Sequence, residues 1–296
     1  YGRKLTIMPE LPEVETVRRG LAPAMINHRI AQVEVRRKDL RFPFPLHFTR
    51  NLIGREILTL RRRAKYLLAD LDDAMSLIMH LGMSGSFRIE EETPGNFFHA
   101  RTRLTVHDHV TFHLSNGQRI IYNDPRRFGF MLLIPTAEIM FHPYFSHLGV
   151  EPLSDLLNAE FLARAFYHRK TSVKSLLLDQ HLIAGIGNIY ACEALHEARI
   201  SPLRQGGDLV TQQGKPAAAL MRLPKTIKNV LEKAISAGGS SLRDHRQTNG
   251  AMGYFQHQFK VYGRENESCY TCGKNKNISR FVQSGRSTFY CPGCQK

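Results

Sequence analysis

No stretch of this chain approaches the roughly 18 consecutive apolar residues of a membrane span. The opening "YGRKLTI" has neither the apolar core nor the cleavage site of a secretory signal. The expected address is intracellular, and a membrane is not an expected partner. Cysteine is sparse: five in 296 residues, an odd number with four near the C-terminus, which argues against a secreted disulfide framework. There is no internal repeat, no low-complexity tract and no basic amphipathic helix. The shortage with the largest consequence is of acid. Asp and Glu number 26 against 41 Lys and Arg, a net charge of +15 spread along the whole chain. Such a surplus points to a polyanion, nucleic acid ahead of anionic membrane, without separating DNA from RNA.

Core material is ample: 42% of the residues are hydrophobic, and the length suits two domains with a small appendage. Leu11, Val14, Val17 and Leu21 recur at helical spacing, so the chain begins with one amphipathic helix. Strand-like runs follow in "RIAQVEVRR", "REILTLRRRAKYLLADL", "MSLIMHLGMSGSFRI" and "VTFHLSNGQRIIYN". In the last, Asn116-Gly117 signals a hairpin because both residues tolerate positive φ. These runs predict an antiparallel sandwich. Past "HLGVEPLSD" the period becomes helical, with helices predicted near 159–168, 173–180, 188–198 and 217–237. Gly185 and Gly187 in "AGIGNIYACEA" either open a phosphate-binding helix N-terminus or form an ordinary turn. The stretch 239–253 reads as a long polar loop.

Two readings of "MPELPEVE" compete. Pro9 or Pro12 starts a helix whose dipole the following glutamates face, or Met8 is an initiator whose removal frees the Pro9 amine.

The most specific spacing is Cys269-x2-Cys272-x18-Cys291-x2-Cys294. Two C-x-x-C pairs joined by a hairpin place four thiolates on one tetrahedral ion, for which zinc is the expectation. Two vicinal disulfides or an iron–sulfur site are the alternatives. So small a module has too little core to fold alone, so the metal is expected to hold it. Lys274, Lys276, Arg280 and Arg286 suit a DNA-facing finger. Cys192 stands apart in a helix, where a buried small apolar role is expected.

Six motifs occur in order: "MPELPEVE", "RRAKYLL", "HLGMSGS", "NDPRRFG", "GIGNIYACEAL" and the finger ending "GRSTFYCPGCQK". Together they resemble the formamidopyrimidine-DNA glycosylase family from Met8 to Lys296. The resemblance implies an α+β protein: an N-terminal antiparallel β-sandwich with a leading helix (8–150), a helix-two-turn-helix domain (151–262) and a zinc-finger hairpin (263–296). It implies a monomer that binds damaged double-stranded DNA between its domains, one structural zinc and no nucleotide cofactor. Residues 1–7 are expected to be foreign to the active enzyme, which would begin at Pro9.

The implied reaction is excision of 8-oxoguanine and ring-opened purines, followed by β- and δ-elimination at the abasic site. Pro9 maps onto the nucleophile. An α-amino group titrates near ~8 against ~10.4 for lysine, so far more of it is neutral at roughly pH 7. Glu10 maps onto the acid that protonates the sugar ring oxygen. Lys65 maps onto the lysine that assists β-elimination, its alternative being a solvated strand lysine. Arg286 maps onto the arginine that grips the lesion phosphates. Met83, Arg126 and Phe128 map onto the residues that fill the gap left by the flipped nucleotide, Arg126 bonding the orphaned cytosine. Without the resemblance, Met83 and Phe128 read as core residues. His107, Arg169 and Asn188 map onto backbone contacts, His107 having a solvated histidine as its alternative, and Lys174 lies where the family approaches the lesion. The loop Gly239–Gly253 corresponds to the segment that closes over the extruded base. Its "GSSLRDH" departs from the family's usual threonine and aromatic, which bears on lesion preference rather than reaction type. Two alternatives stand beside this reading: an endonuclease VIII-like enzyme for oxidised pyrimidines, and a catalytically silent zinc protein that only binds DNA.

Overall fold

The computed structural model describes residues 8–91, 105–240 and 255–296. The expected leader and most of the polar loop, from 241 onward, lie outside the described residues. The chain divides into two compact units: residues up to Ser146 with Ala237–Gln256, and His147–Ser236 with His257–Lys296.

The first unit opens with α1 (Leu11–Met25), with proline in its first turn as the fixed φ of that residue favours. Leu11, Val14, Val17, Leu21 and Met25 are buried, and their spacing of three and four residues lays one stripe on the core. Then follow β1 (Ile30–Val35), α2 (Phe48–Leu52), β2 (Ile57–Arg63), β3 (Tyr66–Leu71), β4 (Met75–His80), β5 (Ser86–Glu91), β6 (Asp108–Leu114), β7 (Gln118–Asn123) and β8 (Phe130–Pro135). They form two four-stranded sheets, ordered β1-β6-β7-β5 and β2-β3-β4-β8, with every pair antiparallel. One apolar cluster takes Leu67 and Leu77 from one sheet, Phe87, Phe112 and Ile120 from the other, and Val14 and Leu21 from α1. The sandwich with its leading helix is thus the observed architecture.

The hairpin between β6 and β7 forms where "SNG" predicts it, with one difference. Only Gly117 takes positive φ (78°), while Asn116 accepts from the Gln118 N–H and donates to the Ala24 carbonyl, a three-residue loop rather than a two-residue turn. α2 has only five residues and no pattern that predicts it. His107 ends a short 3₁₀ turn, Thr105–His107, just ahead of β6.

The second unit carries α3 (Ala159–Phe166), α4 (Val173–Leu178), α5 (Asn188–Glu197) and α6 (Ala218–Ser236). Asn158 caps α3 by accepting from Phe161 N at 2.8 Å, and Ser172 caps α4 through Ser175 N. α6 buries Leu220, Leu223, Ile227, Val230, Leu231 and Ala234 along one face. The chain ends in β9 (Ser268–Cys269), β10 (Gly273–Asn277), β11 (Ser279–Gln283) and β12 (Arg286–Tyr290). Among the described residues no helix is long and apolar enough to cross a membrane.

Candidate functional site

The start of α1 is the most heavily braced helix end of the first unit. Pro9 is buried, and Glu10, just before the helix, is 4% exposed. Glu13, fully buried, accepts from the Glu10 N–H with one carboxylate oxygen at 2.9 Å. Its other oxygen accepts from the N–H and hydroxyl of Ser240, both at 2.8 Å. One carboxylate thereby fixes the backbone beside Pro9 and ties it to the residue from which the polar loop departs. Gly239, at φ 78°, packs against it so closely that a Cβ would lie 3.2 Å from the Glu13 carboxylate.

A second carboxylate joins α1 to the turn that carries Lys65. Glu15 accepts from Arg18, Arg19 and Arg62 at 2.8–3.3 Å, and Arg62 also donates to the Ala64 carbonyl at 3.2 Å. Ala64 and Lys65 are the two turn residues between β2 and β3, with Ala64 held at φ 52°. Burial pushes the Glu15 carboxyl up, but the hydrogen bonds of Arg18 and Arg19 and the charges of Arg18 and Arg62 outweigh it and hold it at about 2. A depressed folded value stabilises the native state above the unfolded carboxylate range, and this contribution disappears as pH falls toward about 2. Glu15→Gln is therefore expected to lower stability at neutral pH by on the order of 1–2 kcal/mol after allowance for solvent screening. In urea melts across pH the gap to wild type should close on the acid side. A gap that persists undiminished at the lowest pH would contradict this account.

His80 lies between the Lys65 turn and the next loop. Burial, then the charges of Lys65 and Arg41, push it down to about 4, so it is neutral and accepts the Gly82 N–H at Nδ1 (3.1 Å). From Gly82 onward the loops "HLGMSGS" and "NDPRRFG" interlock. Asp124, fully buried, accepts from the Ser84 hydroxyl, from Tyr122 OH at 3.2 Å and from Gly129 N at 2.9 Å. Ser84 Oγ in turn accepts the Arg126 N–H at 3.0 Å. Backbone meets backbone so closely that a Cβ on Gly82 would lie 2.3 Å from the Phe128 carbonyl carbon. On this platform Arg126 and Phe128 are exposed and Met83 half-exposed, with the Arg126 guanidinium 4.9 Å from the Phe128 ring centre. The backbone of His107 joins the base of the platform, its carbonyl accepting the Asp124 N–H at 3.0 Å. Met83, Arg126, Phe128 and His107 are thus brought together, and neither Met83 nor Phe128 is a core residue.

In the second unit three predicted residues converge on one hairpin. Arg286 is exposed at the start of β12, beside the turn of Ser284 and Gly285 at φ 49° and 72°. The neighbouring Ser287 carbonyl accepts from Asn188 Nδ2 at 2.8 Å and from Lys174 Nζ at 3.3 Å. Lys174 Nζ also donates to Thr288 Oγ1 at 2.7 Å. Lys174 is 1% exposed, so its ammonium braces the hairpin from beneath rather than presenting charge at the surface. Arg169 is exposed in the loop between α3 and α4, where its carbonyl accepts from Gly207 N at 2.9 Å.

The four C-terminal cysteines gather in the same unit. A zinc tetrathiolate with Zn–S near about 2.3 Å has S···S edges of about 3.8 Å. Here Cys269–Cys294 and Cys272–Cys291 measure 3.9 and 3.7 Å, and all four sulfurs lie within 4.8 Å of one another. Gly293 makes the second knuckle possible, since a Cβ there would press on Lys276 Cγ at 2.6 Å and Cys272 Sγ at 3.1 Å. Four soft donors at tetrahedral separations fit zinc. Cys192 is buried in α5, away from this cluster.

Comparison with known proteins places this arrangement. The family model for the formamidopyrimidine-DNA glycosylase N-terminal domain matches residues 8–131, and that for the H2TH domain of the same glycosylase matches 148–246. A formamidopyrimidine-DNA glycosylase of Methylocella silvestris is 59% identical over 98% of this chain and all of its own length. The chain belongs to the formamidopyrimidine-DNA glycosylase family. Among solved structures it is similar to a Lactococcus lactis Fpg variant bound to Fapy-dG-containing DNA (33% identity, 97% of this chain and 100% of that chain, TM-score 0.83). It is also similar to the MutM (Fpg) protein of Thermus thermophilus (38% identity, 97% and 98% coverage, TM-score 0.80).

Three buried carboxylates lie inside the quoted motifs, yet reading the sequence for charge and motif assigns none of them its partners. Glu13 and Asp124 are described above. The third is Glu193 in α5, whose carboxylate accepts the N–H groups of Lys260, Val261 and Tyr262 at 2.8–3.0 Å and so anchors the segment leading to the finger. Burial raises its pKa above the ordinary range against the pull of those three donors. A lone acid in the apolar run "IYACEAL" is the signal that could have marked it.

Proposed function

We propose that this chain is a bifunctional enzyme that releases oxidised purines from duplex DNA and then cuts the strand at the abasic site. The neutral amine of Pro9 attacks the sugar carbon bearing the damaged base, and Glu10 protonates the ring oxygen as the base departs. The resulting iminium withdraws electrons, and β- and δ-elimination follow with Lys65 and Arg286 assisting. Met83, Arg126 and Phe128 fill the vacated position, while His107, Arg169 and Asn188 engage the backbone. Lys174 acts by supporting the hairpin of Arg286. One zinc on Cys269, Cys272, Cys291 and Cys294 is structural, and the enzyme works as a monomer in a bacterial cytoplasm without a nucleotide cofactor.

The observation that carries this reading is the bracing of Pro9 and Glu10. Glu13 and Glu15 tie the helix end that presents them to Ser240 and, through Arg62, to the turn of Lys65. Rigid placement of reacting groups is where rate comes from when the chemistry is proton transfer and addition. The Lactococcus complex with Fapy-dG-containing DNA supports purine lesions as substrates. A second reading has its own support, since a Lactococcus Fpg that is 33% identical has been solved on DNA containing an oxidised pyrimidine (TM-score 0.82).

Excision from 8-oxoguanine·cytosine and thymine-glycol duplexes separates the two. Faster cutting of the purine duplex is expected, and faster cutting of the pyrimidine duplex would favour the second reading. In the same assay Arg126→Ala should blunt discrimination by the base opposite the lesion. Arg169→Ala should weaken binding of damaged and intact duplexes alike and reduce its salt dependence. Equal loss of opposite-base selectivity in both variants would defeat this division of roles.

A further inference from the structure

His196 has no place in the chemistry above, yet it is one of the most deliberately placed side chains of the second unit. It lies in the last turn of α5, 5% exposed. Its Nε2 is 3.7 Å from Cys269 Sγ and 3.6 Å from Cys294 Sγ. It does not belong to the set of donor atoms that are all within 4.8 Å of one another, which contains the four sulfurs alone. The imidazole therefore sits outside the tetrahedron, against the Cys269–Cys294 edge, where a fifth ligand would not be found.

The electrostatics of such a centre call for a donor at that place. Four thiolates around a divalent ion carry a net double negative charge, here with Cys269 and Cys291 fully buried. His196 comes from outside the knuckles. It reaches the sulfurs from a helix that starts at Asn188, the residue whose side chain holds the Ser287 carbonyl next to Arg286.

We propose that His196 is an outer-shell donor to the finger's metal centre, its Nε2–H shared between the Cys269 and Cys294 thiolates, and that this bond latches α5 to the knuckles. The inference rests on the four cysteines binding zinc as proposed above. The bond has two consequences. It draws electron density from the two thiolates, which makes them poorer nucleophiles toward oxidants, and it offsets the centre's negative charge while fixing one sulfur of each knuckle, which slows loss of the ion to chelators. It also makes α5 a single lever between the metal and the hairpin of Arg286. His196 is in this sense a positioning residue.

Three measurements test it. Zinc stoichiometry of the wild-type protein comes first: absence of metal would sink the zinc reading itself, independently of His196. With zinc present, transfer to a chromogenic chelator is compared in wild type, His196→Phe and His196→Gln. Loss should be about 10-fold faster in the phenylalanine variant, the scale on which outer-shell partners act, and partly restored in the glutamine variant, which keeps an N–H. In the cobalt(II)-substituted proteins the sulfur-to-metal charge-transfer band should move to lower energy in His196→Phe, a shift that loss of packing alone does not produce. Should the variants fail to fold, nitrogen-15 spectra of wild type decide, because the proposal requires the tautomer with its proton on Nε2. A proton on Nδ1 instead, or unchanged release rates and an unmoved band in folded variants, would overturn it.

Discussion

Protein whose first residue is Pro9 is expected to be trapped covalently on damaged DNA by borohydride, and protein that retains Met8 is expected to give no adduct. The difference should be close to all-or-none because it concerns a lone pair. Acylated by Met8, the Pro9 nitrogen is a tertiary amide, delocalised into the carbonyl and with no proton to titrate. Such a nitrogen can neither add to the sugar carbon nor become the iminium that borohydride reduces. DNA binding should persist in both forms, since Arg126, Phe128 and Arg169 are exposed on other elements. Masses of both preparations fix the N-terminus before the comparison. An adduct of similar yield from verified Met8-retaining protein would assign the attack to another amine, Lys65 being the first to examine.

The family match begins at residue 8, next to the residue this prediction concerns. Beyond that point, how much is legible in the sequence follows from how local each interaction is. The helices of the second unit are predicted within a few residues, because Asn158 and Ser172 cap two of them and apolar periodicity runs through the rest. The sandwich is legible from its strand-like apolar runs, although β3, β4, β6 and β7 bury consecutive residues on both faces instead of alternating. α2 is not, being too short to show a period. The exposed candidate residues Arg126, Arg169 and Arg286 are found from the family resemblance. The groups that hold them are not.

The physical reason is the kind of partner these groups use. Ser240 is 227 residues from Glu13, and the donors to Glu193 lie 67–69 residues away and are all backbone N–H groups. A backbone donor has no residue identity, so nothing in the sequence announces it. Lys174 shows the same limit from the other side. The resemblance puts it where the family approaches the lesion, and only its partners Ser287 and Thr288, over 110 residues on, show it under the hairpin. Where the sequence supplies a charged residue without an evident local partner, the default of solvent or ligand is wrong whenever a distant backbone completes its shell.

Stripping the metal is expected to abolish cutting and to weaken damaged-DNA binding by at least about 100-fold while leaving the sandwich intact. The finger has little to hold it otherwise. Every residue of β10 is exposed, and β11 has none buried. What remains apolar and buried is confined to Ile278, Phe289, Cys269 and Cys291. Hydrogen bonds to the rest of the unit secure particular points: Lys174 and Asn188 at Ser287 and Thr288, Gln283 at the Pro202 carbonyl, Gln295 at the Ile200 carbonyl. His196 Nε2 touches both knuckles, at 3.7 Å from Cys269 Sγ and 3.6 Å from Cys294 Sγ, but one donor does not offset four thiolates, so that without an ion the two C-x-x-C pairs repel as thiolates or drift apart as thiols. Arg286 sits at the hairpin end that these supports steady, and displacement of its guanidinium by about 1 Å is enough to spoil transition-state contacts. Chelation, or Cys291→Ser at a buried ligand, should therefore give protein with a native strand signal by circular dichroism, no nicking of 8-oxoguanine duplex, and recovery on adding zinc to the chelated form. Undiminished nicking by verified metal-free protein would mean that the hydrogen bonds alone place Arg286 and that the metal serves no purpose in this reaction.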